Sequence, residues 1–120
     1  MSKDSPPSIR LHAHAAISDQ QLTEVLLGIE EEGIPVEVER FDEFDPLVLA
    51  HQAAITSRLG IGLGIALDYA VITTEKLPEA KPCQGNWHNE DAGIDRAIGT
   101  NAARMVKRTP LRPLSGERNP

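Results

Sequence analysis

Three consecutive carboxylates, Glu30, Glu31 and Glu32, stand just before Gly33, where an apolar stripe of helical period runs out. Carboxylate oxygens suit magnesium, or a cationic side chain on another protein. They are out of place at a helix C-terminus, because that end is already the negative pole of the helix dipole and adjacent like charges repel. With Leu22 set at zero on a helical wheel, the stripe of Leu22, Val25, Leu26 and Ile29 centres near roughly 350°, and the three glutamates fall at roughly 80°, 180° and 280°. Glu31 therefore points most directly away from the core. Two readings stand: a solvated surface cluster, or a carboxylate reaching a divalent cation or basic group on another chain. A single carboxylate cannot complete an oxygen shell, so any such metal must be shared between chains.

Other residues admit chemistry with fewer supports. His12 and His14 share one face of a strand-like segment, a spacing that can hold a metal, but no third ligand is visible. Cys83 and His88 could form a thiol and its base only if the fold brings them together beside an oxyanion site. Gly60, Gly62 and Gly64 follow a G-x-G-x-G spacing instead of the dinucleotide fingerprint, with no capped helix after them, and no P-loop occurs anywhere. A small nucleotide-binding module built on these glycines stays open as a minor alternative. In Asn101-Ala102-Ala103-Arg104-Met105-Val106-Lys107, small residues alternate with cations at helical spacing. Arg104 and Lys107 suit acidic groups on a partner, or the carbonyls of their own helix end.

The elements that must position these residues are marked in the sequence. Ile9, Leu11, Ala13 and Ala15 alternate with polar residues as a strand does. Ser18 and Gln21 have capping-box spacing and open a helix over about 19–32, closed by Gly33. Ile34, Val36 and Val38 predict a second strand. Asp45-Pro46 opens a helix to about Ser57, carrying Leu47, Leu49 and Ala50 inward. The unbroken apolar run 59–67 predicts a central strand whose glycines admit a neighbouring backbone closely. A further strand over 69–74, a loop over 77–82, an edge strand near Cys83 and a last helix over about 90–107 complete the order. The stripe of that helix is Ile94, Ala97, Ile98, Ala102 and Met105. Alternating strands and helices predict an α/β domain over 9–112, a single layered unit with a largely parallel sheet flanked by helices, between flexible ends at 1–8 and 113–120.

The bulk composition agrees with one domain. The chain has 120 residues, 40% hydrophobic and only 3% aromatic, so aliphatic side chains must build the core. Residues 1–50 hold three basic and eleven acidic side chains, a net of −8, and the remainder nine and seven, a net of +2. No basic stripe offers itself to phosphates, which argues against nucleic acid as a partner. No apolar run reaches the length of a membrane span, and the polar start with its two prolines predicts a cytoplasmic protein. The lone Cys83 excludes an internal disulfide and a multi-cysteine zinc site.

Three segments together resemble the small subunits of diol and glycerol dehydratase-reactivating factors. They are Glu24-Val25-Leu26-Leu27-Gly28-Ile29-Glu30-Glu31-Glu32-Gly33-Ile34-Pro35, the glycine strand Gly60 to Asp68, and Gly99-Thr100-Asn101-Ala102-Ala103-Arg104-Met105-Val106-Lys107. The resemblance spans about residues 9–112, and its first and third segments are the specific ones. It implies a fold like part of the dehydratase medium subunit and no catalysis by this chain alone. The expected partner is a large ATPase subunit resembling ATPase chaperones, in a hetero-oligomer of two copies of each. The client would be a cobalamin-dependent diol or glycerol dehydratase, whose damaged cobalamin leaves when the small subunit exchanges with the enzyme's own medium subunit. ATP or ADP would sit on the large partner alone, and this chain would hold no cobalamin tightly. A cytoplasmic setting associated with a bacterial microcompartment follows too. The family glutamate that completes a magnesium site with the large subunit aligns with Glu31, and Glu30, Glu32, Arg104 and Lys107 are carried along as partner-facing. The rival within the resemblance is a short medium-type subunit that retains cobalamin. After Lys107, Arg108-Thr109-Pro110-Leu111 departs from the Gly-x-Pro-Phe ending of relatives, leaving the tail's contacts open.

Overall fold

A computed structural model describes residues 6–114. Eight elements follow the chain: β1 (Ile9–His14), α1 (Asp19–Glu31), β2 (Val36–Phe41), α2 (Pro46–Thr56), β3 (Ile61–Ala66), β4 (Tyr69–Thr74), β5 (Gln84–Trp87) and α3 (Ala92–Lys107). The local signals act as chemistry predicts. Ser18 accepts from the Gln21 amide while the Gln21 side chain accepts from the Ser18 amide, a complete capping box for α1. Gly33 takes φ +80° to turn the chain toward β2. Asp45 caps α2 ahead of Pro46, and Asp91 caps α3 through the amides of Gly93 and Ile94.

The five strands form one sheet in the order β2-β1-β3-β4-β5. β1 pairs parallel with β2 and β3, whereas β3–β4 and β4–β5 are antiparallel. The expected parallel arrangement thus occupies the half built by helical crossovers. The other half is antiparallel because two residues, Leu67 and Asp68, join β3 to β4, too few for a crossover. The edge strand expected near Cys83 is β5, beginning one residue later.

Strand alternation divides the side chains between two layers. Ile9, Leu11, Leu63, Ile65 and Ile72 pack with Leu22, Val25 and Ile29 of α1 and Ala97, Ile98 and Ala102 of α3. On the opposite face Gly62 and Gly64 touch the backbone of α2: a Cβ on Gly62 would collide with Ala54 N and Ala50 O, and one on Gly64 with Pro46 O and Ala50 N. Of the α2 residues expected inward, Leu49 and Ala50 are buried, and Leu47 is half-buried.

The α1–α3 contact is closer still. A Cβ on Gly28 would run into Arg96 O and Thr100 N, and one on Gly99 into Val25 O, so the two helices meet backbone to backbone. They run in the same direction, from the ends of β1 and β5 down to the edge where β2 begins, and their C-termini lie side by side.

Two residues within the expected flexible ends are buried. Ser8, placed in a flexible lead-in, is buried, and its carbonyl accepts from the Ser57 hydroxyl at 2.6 Å. Leu114, placed in a flexible tail, is 3% exposed within the core. A buried carbonyl needs a donor, which the Ser57 hydroxyl supplies to Ser8, and Leu114 joins the apolar core. Residues 1–5 and 115–120, the rest of those expected flexible ends, lie outside the described residues.

Candidate functional site

The glutamates at the end of α1 meet different surroundings. Glu32, in the C-cap position, is 18% exposed at its side chain and is held by Lys107 Nζ at 2.7 Å and Arg104 Nε at 3.5 Å. Lys107 Nζ also donates to the Glu32 carbonyl at 3.3 Å. The hydrogen bond from Lys107 holds the Glu32 carboxyl below the usual carboxylate range. The last turn of α1 has no cation of its own, and α3 supplies the charge that its dipole requires. Arg104 and Lys107, read as partner-facing, thus have a partner inside the chain at the neighbouring helix end, and Arg104 Nη1 also donates to Pro110 O at 3.3 Å just past its own.

Glu31 receives Arg96 Nη1 at 2.6 Å on Oε2, while Arg96 Nε binds Glu24 at 2.9 Å. Its side chain remains 58% exposed, and Oε1 accepts no bond among the described residues. Glu30 is exposed with no ion pair among the described residues. Glu31 and Glu32 both meet cations of α3, Glu32 with its side chain largely covered and Glu31 with its side chain largely exposed, whereas Glu30 is exposed. What the sequence did not reveal is that Arg96 fixes the Glu31 carboxylate in place.

Tested as a magnesium ligand, Glu31 offers one oriented carboxylate with a free oxygen, which fits a single position of an oxygen shell. Among the described residues no three His, Cys, Asp or Glu side chains converge on a point that could hold a metal ion. The remaining ligands of such an ion must come from water, nucleotide or another chain.

The weaker candidates separate in space. His12 and His14 are both buried, but His12 lies against Phe41 with ring centroids 4.4 Å apart, and His14 stacks on Phe44 at 4.0 Å. His14 Nδ1 accepts from Ala16 N, and no further ligand joins the pair. Cys83 and His88 flank opposite ends of β5, so the thiol has no imidazole beside it. Burial raises the Cys83 thiol above its ordinary value, which makes it less nucleophilic. The glycine strand cannot hold a phosphate, because α2 covers Gly62 and Gly64. Gly60 instead turns the chain at φ +74°.

Three polar anchors escaped the sequence reading. His88 is fully buried, with Nε2 2.9 Å from Gln21 O. Asp95 accepts the Asn89 amide on both oxygens, its carboxyl raised by burial against that hydrogen bond. Asn101 is fully buried and clasps the chain after α3: Oδ1 accepts from Arg112 N at 2.6 Å, and Nδ2 donates to Arg112 O at 2.9 Å and Gln84 Oε1 at 3.2 Å. For Asp95 and Asn101 the signal was polarity on the buried side of α3, since each adjoins residues of the apolar stripe.

Comparison with known proteins places this arrangement. Residues 6–112 match the family described as dehydratase medium subunit. The diol dehydratase-reactivating factor small subunit of Klebsiella michiganensis is 39% identical over 94 residues, covering 78% of this chain and 75% of the relative. Among solved structures, a diol dehydratase-reactivating factor complexed with ADP and Mg2+ contains a chain that superposes with a TM-score of 0.84 at 36% identity, covering 91% of this chain and all of that one. A chain of a glycerol dehydratase reactivase gives 0.84 at 29% identity, covering 90% and 98%.

Proposed function

This chain belongs to the dehydratase medium subunit family, alongside the small subunits of diol and glycerol dehydratase-reactivating factors, and on that premise we propose that it acts as an exchangeable subunit working with a large ATPase partner. Bound to a dehydratase that holds damaged cobalamin, it takes the place of the enzyme's own medium subunit, and the spent cofactor leaves. The work of nucleotide hydrolysis falls to the large partner. The assembly holds two copies of each subunit and serves a diol or glycerol dehydratase.

The observation that carries this reading is the exposed, oriented carboxylate of Glu31. Arg96 fixes one oxygen and leaves the other open at the end of the molecule where α1 and α3 finish together. Magnesium bound there would bridge this chain to its partner by electrostatic attraction to a hard oxygen donor. The residues of this chain do the positioning: Arg96 sets the carboxylate, and Lys107 with Arg104 neutralise the neighbouring Glu32 so that it does not compete.

A reactivation assay tests the proposal directly. Substrate-inactivated dehydratase, excess adenosylcobalamin, ATP, magnesium and the large subunit are combined with and without this chain, and recovery of activity should require it. Equal recovery in its absence refutes the proposal. Glu31→Ala should weaken assembly with the large subunit in magnesium and leave the isolated fold intact; unchanged assembly removes Glu31 from the role.

A further inference from the structure

Gly62 and Gly64 seat α2 directly on β3, and that close approach leaves this face of the sheet unevenly covered. The helix packs on β1, β3 and β4. Toward the edge strand β2 a cavity of about 410 Å³ remains, with an apolar wall of Phe41, Val48 and Leu49. It lies on the opposite face of the sheet from α1 and Glu31, because His12 alternates with Leu11 along β1 and Leu11 packs with α1.

The polar lining is one-sided. His12 forms part of the cavity wall and is 4% exposed, yet its Nε2 has no hydrogen-bond partner among the described residues. Glu39 Oε1, also on the lining, stands 3.8 Å from it, beyond hydrogen-bond reach. A buried ring nitrogen without a partner is costly, so a ligand that satisfies it gains by doing so. Desolvation keeps the His12 pKa below its ordinary value and the ring neutral near pH 7, which leaves Glu39 and Glu43 as the charged groups of the lining. Glu43 is steadied by the Asp45 amide, which donates to its Oε2 at 3.0 Å. Arg10 approaches Glu39 at 3.7 Å and Glu37 at 3.6 Å, dividing its charge between them without a hydrogen bond to either. Among the described residues no lysine or arginine lines the cavity, so an anion has no counter-charge there, and no three side chains converge to hold a metal ion.

We infer that this cavity is a binding site for a primary alkylammonium ion. The ammonium head is attracted by Glu39 and Glu43 and supplies the donor that His12 Nε2 lacks, with the imidazole protonated at Nδ1. The methylenes lie against Val48 and Leu49, and the Phe41 ring adds a cation–π attraction to the contact area it provides. A free amine and the lysine side chain of another protein both carry this chemistry.

The test titrates n-butylammonium into the isotope-labelled full chain and follows the His12 imidazole resonances by NMR, identified by their loss in His12→Gln. A saturable shift with a millimolar Kd is expected, and n-butanol and butyrate, which keep the chain but lose or reverse the charge, should leave the resonances in place. Glu39→Gln should weaken binding about fivefold. Glu39 is exposed, so this variant should keep the thermal midpoint. Val48→Trp fills the cavity from its apolar wall and should abolish binding. A capped lysine tripeptide separates the two sources: tighter binding than butylammonium assigns the site to a lysine of another protein, and weaker binding assigns it to a free amine. The inference is overturned by an absent or unsaturable shift, by an equal response to butanol or butyrate, or by unaltered binding in Glu39→Gln or in folded Val48→Trp.

Discussion

At the scale of single residues, Arg108 illustrates how a local cost is tolerated. It closes α3 at φ 58°, the left-handed conformation where relatives are expected to carry glycine, and its amide reaches the carbonyls of Arg104 and Met105. A residue with a Cβ pays on the order of 1 kcal/mol there. Arg108→Gly should therefore raise stability by about 0.5–1 kcal/mol, read from urea unfolding midpoints. His12 makes a second prediction. Desolvation lowers its pKa, with Glu39 opposing and Arg10 assisting. A folded value below the unfolded one means that unfolding takes up a proton as the pH drops, so stability is lost below about pH 6.5 and levels off once the folded value is passed. His12→Gln should flatten that slope below about pH 6.5, measured by midpoints across the pH series. An unchanged slope assigns the effect to another group.

At the scale of elements, the joint between α1 and α3 is the most sensitive part of the fold. Gly28→Ala or Gly99→Ala inserts a methyl where the facing backbone stands, and the helices must separate or tilt. Destabilisation of about 1–3 kcal/mol is expected, with Gly99→Ala in the upper part, by denaturant unfolding. Asn101→Leu keeps the branching and number of heavy atoms but strands the Arg112 amide and carbonyl, so residues 109–114 should become protease-sensitive while the sheet remains folded. The elements themselves were legible in the sequence because their determinants are local: the capping box at Ser18, the Asp45-Pro46 start, Gly33, and the apolar run of β3. The antiparallel turn of the sheet after β3 was less legible, since it depends on Leu67 and Asp68 forming a tight hairpin without the usual glycine or asparagine. The candidate site divides in the same way. The outward direction of Glu31 follows from helical period alone, whereas its clasp by Arg96 joins residues 65 positions apart and exists only in the packed molecule.

At the scale of the whole molecule, the two ends of the sheet differ in their pairing of charge. One end gathers the helix C-termini with the Glu31–Arg96 and Glu32–Lys107 pairs; the other holds Asp42, Asp68 and Glu90, exposed and without an ion pair among the described residues. If magnesium joins Glu31 to the large subunit as proposed, chelating it should weaken that assembly, and raising the ionic strength should weaken it too. The glycine joint gives this two-ended body a mechanical property. Side chains between helices act as a compliant layer that can change rotamer and let one helix slide past the other, but Gly28 and Gly99 leave no such layer along the join. A displacement at the α1–α3 terminus is therefore passed along the molecule with little slack, as through a splint.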